Sequence, residues 1–268
     1  MSREGFDATR FSALCGARAL VWGEPLTYRP ETGSTNEDAL TAARAGAPDG
    51  SLFVAEYQSA GRGRRGRGWV GARGQSLLFS VVARPEREQK LCPALTLAVG
   101  LGVRAGLAGH CRARLRVKWP NDVLAEGQKL AGVLCEGQFE GQRAEALVIG
   151  VGINVAQSEF PSDLAATAVS LALLGPEPAV PAREELLADV LAAIASRVRL
   201  CWADGFLPLL EEFQFHDALF GERIEVDGAR LRGVARGVDA EGQLLVESDG
   251  QIIPIHSGTV RSLPASKT

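Results

Sequence analysis

The stretch Gly61-Arg-Gly-Arg-Arg-Gly-Arg-Gly-Trp69 packs arginines at 62, 64, 65 and 67 into one segment with no acidic residue. Two strand-forming runs flank it, Ser51 to Tyr57 and the strongly apolar Ser76 to Ala83. The chain must therefore fold so that a dense cationic loop hangs between two sheet strands. Such a loop is either neutralised by an anionic partner or left in water. Its glycines at 61, 63, 66 and 68 let the backbone come close to a partner, and the combination points to a phosphate-bearing ligand. The competing reading is a solvated tether or a nonspecific RNA patch. Against it stand the shortness of the segment, its single aromatic and its apolar flanks.

Gly61-x-Gly63-x-x-Gly66 formally matches the dinucleotide-binding pattern, but Gly66, Gly68, Gly71 and Gly74 prevent the helix that would receive a pyrophosphate. No G-x-x-x-x-G-K-[ST] run occurs either. Guanidinium groups and loop amides would have to hold any phosphate.

The positive charge is local. With 29 Lys+Arg against 32 Asp+Glu, the formal net charge of -3 gives no general affinity for nucleic acid or membrane, so the partner is small or an acidic protein surface. Five cysteines without a CxxC pair, and histidines only at 110, 216 and 256, argue against a disulfide framework or a structural zinc site. Arg3, Glu4, Asp7 and Arg10 interrupt the N-terminus, and no run approaches the roughly 18 apolar residues of a membrane span. The expectation is a soluble, cytoplasmic protein without a signal peptide.

A chain of 268 residues, 46% hydrophobic, can hold one large domain and a small one. Helices are expected at 7–15, at 36–45 behind a Ser34 or Thr35 cap, at 91–107 despite glycines at 100, 102 and 106, and at 183–203. Strands are expected at 26–29, 51–57, 76–83 and 114–118, and at 129–138 and 145–154, the last two joined by a Glu140-Gly141-Gln142 turn. These give a mixed or antiparallel sheet with helices against it. From about 218, short strands at 223–226, 229–236, 244–247 and 252–255 are separated by Asp227-Gly228, Glu241-Gly242 and Asp249-Gly250 corners, which predict a small all-β barrel.

A second cluster of chemistry runs from Lys118-Trp-Pro-Asn-Asp122 to Lys129-Leu-Ala-Gly132. Pro120 fixes a turn while Asn121 and Asp122 offer directed oxygens beside a lysine, which suits a nucleotide with its magnesium ion. A capped turn would explain Pro120-Asn121-Asp122 alone, but not Lys129 or the arginine loop. Gly150-Val-Gly-Ile-Asn154 by itself fits plain sheet geometry better than a binding site, although Asn154 could read a nucleobase or ribose edge.

Taken in order, Ser34-Thr35-Asn36, the Glu56-to-Trp69 stretch, Lys118-Trp-Pro-Asn-Asp122, Lys129-Leu-Ala-Gly132 and Gly150-Val-Gly-Ile-Asn154 resemble the motifs of biotin protein ligases over nearly all of residues 26–263. The resemblance implies an α+β fold: a class II aminoacyl-tRNA synthetase-like mixed or antiparallel sheet with helices, plus a small SH3-like β-barrel. Residues 1–217 would be the biotin- and ATP-binding catalytic domain and 218–268 the SH3-like one. It implies ATP-dependent activation of biotin to biotinyl-5'-AMP, and transfer of biotin to a specific lysine of a biotin carboxyl carrier protein or domain of a biotin-dependent carboxylase, with Mg2+.

Carried over residue by residue, the resemblance gives the biotin pocket to Ser34, Thr35, Asn36, Gln58, Gly61, Arg62, Gly63, Arg64, Lys129 and Gly132. It gives the ATP side to Arg64, Arg65, Arg67, Trp69, Lys118, Asn121 and Asn154, and the metal to Asp122. Lys129 is the leading catalytic residue, with Arg64 and Lys118 beside it. Core packing is the competing role for Trp69 and above all for Trp119, and the histidines and cysteines are read as structural or incidental. Bifunctional relatives carry an N-terminal DNA-binding domain, for which the residues ahead of Ser34 leave no room, so no DNA partner is expected. Gly68, where some relatives have a charged residue, loosens the loop before Trp69. A homodimer through the catalytic sheet is compatible with the family. A lipoate-type protein ligase and a nonenzymatic nucleic-acid-binding protein are the alternatives.

Overall fold

The computed structural model describes residues 5–85, 93–140, 143–175, 180–227 and 231–263. The Glu140-Gly141-Gln142 turn, the Asp227-Gly228 corner, Cys92 and the middle of the proline-rich 175–181 segment lie wholly or partly outside those residues.

A seven-stranded sheet carries the cationic loop. In chain order its strands are β1 (Leu26–Arg29), β2 (Leu52–Ala55), β3 (Ser76–Ala83), β4 (Leu115–Lys118), β5 (Asp122–Ala125), β6 (Gln128–Glu140) and β7 (Arg143–Asn154). They lie side by side as β1-β2-β3-β7-β6-β5-β4. Only β1 and β2 run parallel, and every other neighbouring pair is antiparallel.

Both sheet faces are covered, which is why β3 is buried at all its positions rather than alternating. On one face Leu77, Phe79 and Val81 join a core with α1 (Ala8–Ala17), α3 (Pro93–Leu107) and α4 (Arg183–Asp204). On the other, Phe53, Val82 and Val148 pack against Ala39 and Ala43 of α2 (Thr35–Arg44). That second face also carries the functional cavity.

The glycines of α3 are explained by its crossing with α4. A Cβ on Gly102 would lie 2.5 Å from the Cα of Ile194, and one on Gly106 would lie 2.4 Å from the Cα of Val190. Four residues apart, the two glycines share one helix face and let the backbones touch. Gly106→Ala is expected to destabilise the fold by about 1–3 kcal/mol through overpacking, visible as a lower denaturation midpoint at unchanged m-value.

The small all-β barrel expected from the Asp/Glu-Gly corners is not present. The C-terminal strands β8 (Arg223–Asp227), β9 (Leu231–Val238), β10 (Leu244–Ser248), β11 (Gln251–Ile255) and β12 (Thr259–Ser262) form an open antiparallel sheet, ordered β11-β10-β9-β8-β12, whose outer strands do not pair with each other. Hairpin corners specify antiparallel neighbours but not closure. Here the apolar face is covered by other elements, so the sheet need not roll on itself: Ile224, Val226, Val246 and Val260 share a core with Ala94, Leu97 and Leu101 of α3 and with Phe213 of α5 (Leu207–His216). The outer strand β11 carries Pro254, which lacks an N–H to offer a further strand.

Among the described strands and α-helices, β5, α5 and β12 escape the sequence reading. Gly205 and Pro208 suggest a break, yet a proline in the first helical turn costs no hydrogen bond and α5 starts there. Trp119 supplies the join between the two sheets. Its buried indole N–H donates to the Gly242 carbonyl at 3.0 Å, and a Cβ on Gly242 would lie 2.4 Å from the Ala94 nitrogen.

The α5–β8 junction holds Asp217, 5% exposed, whose Oδ1 accepts the Leu219 N–H at 2.8 Å. Burial pushes its carboxyl from 3.8 up to about 6, against the lowering effect of the Leu219 and Phe220 N–H groups and Arg116. The folded chain thus holds this proton more tightly than the unfolded one, so its contribution to stability falls as pH rises from about 4 to about 6. Asp217→Asn is expected to flatten that segment of the stability-versus-pH curve, measured by thermal melts across the window. Among the described residues, no helix is long and apolar enough to cross a membrane.

Candidate active site

A cavity of about 510 Å3 opens on the α2 face of the large sheet, bounded by the start of α2, the arginine loop, β4 to β7, residues 160–168 and the Gly258–Arg261 segment. Every residue assigned to a site from the sequence lines it except Gly61.

At one end, Ser34 has the extended backbone of a helix N-cap, but its side chain makes no capping bond. Helix α2 therefore starts at Thr35, and the Ser34 hydroxyl, on a residue 2% exposed, is not committed to the helix. Thr35 donates from its N–H and its hydroxyl to Gln58 Oε1 at 2.7 and 3.1 Å. Ser80 Oγ lies 2.7 Å from Thr35 Oγ1 and 2.6 Å from Asn36 Oδ1. Asn36 Nδ2 donates to Glu136 Oε2 at 2.8 Å and to the Leu134 carbonyl at 3.2 Å. The residues of this wall that line the cavity, Ser34, Thr35, Asn36 and Gln58, are uncharged and rich in both donors and acceptors, with the Glu136 carboxylate bonded to Asn36 outside the lining.

Three glycines make room for the site. A Cβ on Gly150 would fall 1.8 Å from Asn36 Oδ1, and one on Gly152 would fall 2.5 Å from the Trp69 ring. Gly132, paired across the ladder with Gly152, completes the bed on which the Trp69 indole lies. Gly150→Ala is expected to push Asn36 out of its network and to weaken the binding of the ligand at this wall by roughly tenfold, about 1.4 kcal/mol, as read by calorimetric titration.

Gly61 sits beneath the loop rather than in the cavity. Its carbonyl accepts the Trp69 N–H at 3.0 Å, and a Cβ there would meet the Trp69 carbonyl at 2.7 Å. Above this pinch, Arg62 bridges Gly68, and the Gly63 N–H donates to the Arg67 carbonyl at 2.7 Å. The turn is closed by Arg65 and Gly66, at φ 56° and 73°. The arginine loop is thus a small closed hairpin, not a floppy tether. Arg62 pairs with Glu136 at 2.9 Å; among the described residues Arg64, Arg65 and Arg67 form no ion pair, leaving their charge for a ligand. Burial, followed by the neighbouring Arg65, lowers the Arg64 pKa against the opposing pull of Asp122 and Cys135.

Across the cavity, Lys118 faces Asp122 on the β4–β5 ladder, and Lys129 Nζ lies 2.7 Å from Asp122 Oδ1. That oxygen is buried and, although in ionic contact, has no aligned hydrogen-bond donor. Lys129 Nζ also lies 5.6 Å from the centre of the Trp69 ring. Burial lowers the Lys118 pKa, partly offset by Asp122 and reinforced by Lys129.

Lys129 reaches the cavity because of a bulge. Strict alternation from Glu136, Leu134 and Gly132 would send Leu130 into the cavity and Lys129 away from it. The β5–β6 register shifts between Val123, opposite Ala131, and Leu124, opposite Lys129. Leu130 is consequently buried in the main core while Lys129 lines the cavity. The Lys129 backbone is held from outside the sheet by Thr167 and Val169.

The two asparagines assigned to the nucleotide have structural bonds. Asn121 Nδ2 donates to the Val133 carbonyl at 2.8 Å. Asn154, 4% exposed, donates to the carbonyls of Lys129 and Val169 and accepts from Gln157. Sequence reasoning missed Ser80, Glu136, the 160–168 wall and Gly258–Arg261. Ser80 alone left a trace, as a polar residue inside an apolar strand.

Residues 31–154 match the Biotin/lipoate A/B protein ligase family, and residues 220–261 match the Biotin protein ligase C terminal domain. The chain is 36% identical to the biotin--[acetyl-CoA-carboxylase] ligase of Mycobacterium tuberculosis, over 86% of both proteins. The chain belongs to the biotin protein ligase family. It is also 33% identical to the bifunctional ligase/repressor BirA of Bacillus subtilis, over 91% of this chain and 76% of that protein. The biotin protein ligase of Aquifex aeolicus, solved in complex with biotin and ATP, superposes on 90% of this family member and 100% of its own chain, with a TM-score of 0.79 at 28% identity.

Proposed function

We propose that this enzyme condenses biotin with ATP to biotinyl-5'-AMP, releasing pyrophosphate, and then transfers biotin to a specific lysine of a biotin carboxyl carrier protein or domain. The reading rests on a single cavity that combines a buried, neutral wall of hydroxyls and amides with a concentration of arginine and lysine. The neutral wall suits a urea-like ring head, whose buried polar atoms would each cost about 1–3 kcal/mol if left unpaired. The cations suit two anions that otherwise repel each other.

In the first step an oxygen of the biotin carboxylate attacks the α-phosphorus, and pyrophosphate leaves. Arg62 and Arg64 would hold the carboxylate against the phosphate, with Arg65 and Arg67 on the phosphate chain, which converts an encounter of like charges into a positioned reaction. Lys129 would stabilise the charge that develops between carboxylate and α-phosphate. Its compact ammonium can follow charge from one oxygen to another, and Lys118 stands beside it. In the second step the neutral amine of the carrier lysine attacks the acyl carbon and AMP leaves. Trp69 would cover the adenine. Asn121 and Asn154 would act on the nucleotide through the backbone they fix.

Magnesium would neutralise phosphate charge. Asp122 suits it, as the carboxylate lining the cavity with a buried oxygen lacking an aligned donor, since this ion is commonly held by one or two carboxylates together with substrate phosphates. Residues 1–217 are proposed as the catalytic unit and 218–268 as the unit that completes its wall.

ATP–pyrophosphate exchange, run with biotin and separately with lipoate, tests the reading. Biotin-dependent exchange is expected. Exchange with lipoate alone would assign the chain to the lipoate-type ligases, and salt-sensitive RNA binding without any exchange would support the nucleic-acid alternative.

A further inference from the structure

Glu136 has no counterpart among the residues assigned to the chemistry, yet its two oxygens face the two halves of the site. One accepts from Arg62 of the loop at 2.9 Å, and the other accepts from Asn36 at the start of α2 at 2.8 Å. It stands on β6, a central strand of the sheet, so it is the rigid member of the trio. Its side chain is 22% exposed, against 46% for Arg62. Among the described residues, Arg62 is the one arginine between 61 and 69 that has an ion pair.

We propose that Glu136 is a positioning residue: it ties the arginine loop to the ring-binding wall, so that Arg62 is already held over the pocket when biotin arrives. The inference rests on the biotin-activating reading above. The hairpin backbone is held by its own bonds and by Trp69 on the sheet, but without Glu136 the Arg62 guanidinium has no ion-pair partner on the sheet; ligand binding would then have to order that side chain at its own expense. A single bond from Arg62 to Glu136 leaves the rest of that guanidinium fork for the carboxylate of biotin. The same carboxylate, with the Leu134 carbonyl and Ser80, holds Asn36 in the rotamer that fills the void at Gly150. One side chain thus couples the geometry of the loop to that of the wall.

Glu136→Gln keeps the shape but can satisfy only one of the two partners well. In ATP–pyrophosphate exchange it is expected to raise the KM for biotin about tenfold while kcat and the KM for ATP stay within about twofold. Glu136→Asp, which keeps the charge but is one methylene shorter, is expected to fall between Glu136→Gln and the unaltered enzyme. In a double-mutant cycle, Glu136→Gln placed on Arg62→Ala is expected to add almost nothing to the loss caused by Arg62→Ala. Unchanged biotin KM in Glu136→Gln would overturn the proposal. So would full multiplication of the two effects, or an equal loss in the ATP and biotin parameters, which would mark general damage to the fold. If Glu136→Gln fails to fold, the Asp variant decides alone, since an unaltered biotin KM there excludes positioning by a contact of this length. Absence of exchange in the unaltered enzyme would instead strike the biotin-activating reading itself.

Discussion

Lys129→Ala is expected to slow biotinyl-adenylate formation by about 10²- to 10³-fold, or ~2.7–4 kcal/mol of transition-state stabilisation, the scale seen when one preorganised charge-stabilising donor is removed. Two features of the site argue for so large an effect. The ammonium lies 2.7 Å from Asp122 Oδ1, so its removal takes away that carboxylate's ion-pair partner where phosphate must bind. The bulge at Leu130 places Lys129 from the backbone, so no neighbouring side chain on β6 can take over the position. Folding should be little affected, because the side chain is 37% exposed. Single-turnover stopped-flow measurement of adenylation checks the expectation. An adenylation rate within twofold of the unaltered enzyme would remove Lys129 from the chemistry.

Glu56→Ala is expected to cost about 3–5 kcal/mol of folding stability, because it leaves a buried guanidinium without its partner. Arg183 Nη1 lies 2.7 Å from Glu56 Oε2 and Nη2 lies 2.9 Å from Oε1, with side chains 9% and 7% exposed. Tyr28 donates to the same carboxylate at 3.1 Å. The pair pins the first residue of α4 to the end of β2 and, through the Ser76 carbonyl, to the start of β3, the two points from which the arginine loop departs. Replacing both partners together, as in Glu56→Leu with Arg183→Met, should be far less damaging than either change alone. Burial raises the Glu56 pKa, but the bonds from Arg183, the Phe6 N–H and Tyr28 outweigh it, and the net value lies below 4.5. The contribution is therefore complete at neutral pH and is lost as pH falls below about 4.5 through the depressed folded value. Chemical denaturation at pH 7 and in acid measures both effects. A Glu56→Ala loss below about 1 kcal/mol at pH 7 would mean that water already reaches the pair.

The strands and helices that carry the site were largely legible because each has its own periodicity and punctuation. Ser76 to Ala83 appears in the structure with the bounds read from its apolar run, and the glycine-studded α3 is a helix because its length outweighs three glycines. The short strand β5 was not legible, since four residues following a Pro-Asn-Asp turn carry too little pattern to separate a strand from a loop. Closure of the C-terminal strands was misjudged for a related reason. Corners determine which strands are neighbours, whereas closure depends on what covers the apolar face.

The sequence by itself determined the chemistry available to this chain: which cations, amides and hydroxyls it owns, their spacing along the chain, and the strand-loop-strand frame that exposes them. Those properties are local, set by residue type and by the periods of helix and strand. Only the tertiary structure decided which of them meet. The bulge at Leu130 turned Lys129 inward, the voids at Gly150 and Gly152 received Asn36 and Trp69, and Glu136 came to bridge Arg62 and Asn36. The contacts of Asn36 with Gly150 and with Glu136 join residues a hundred or more positions apart, which no local period encodes.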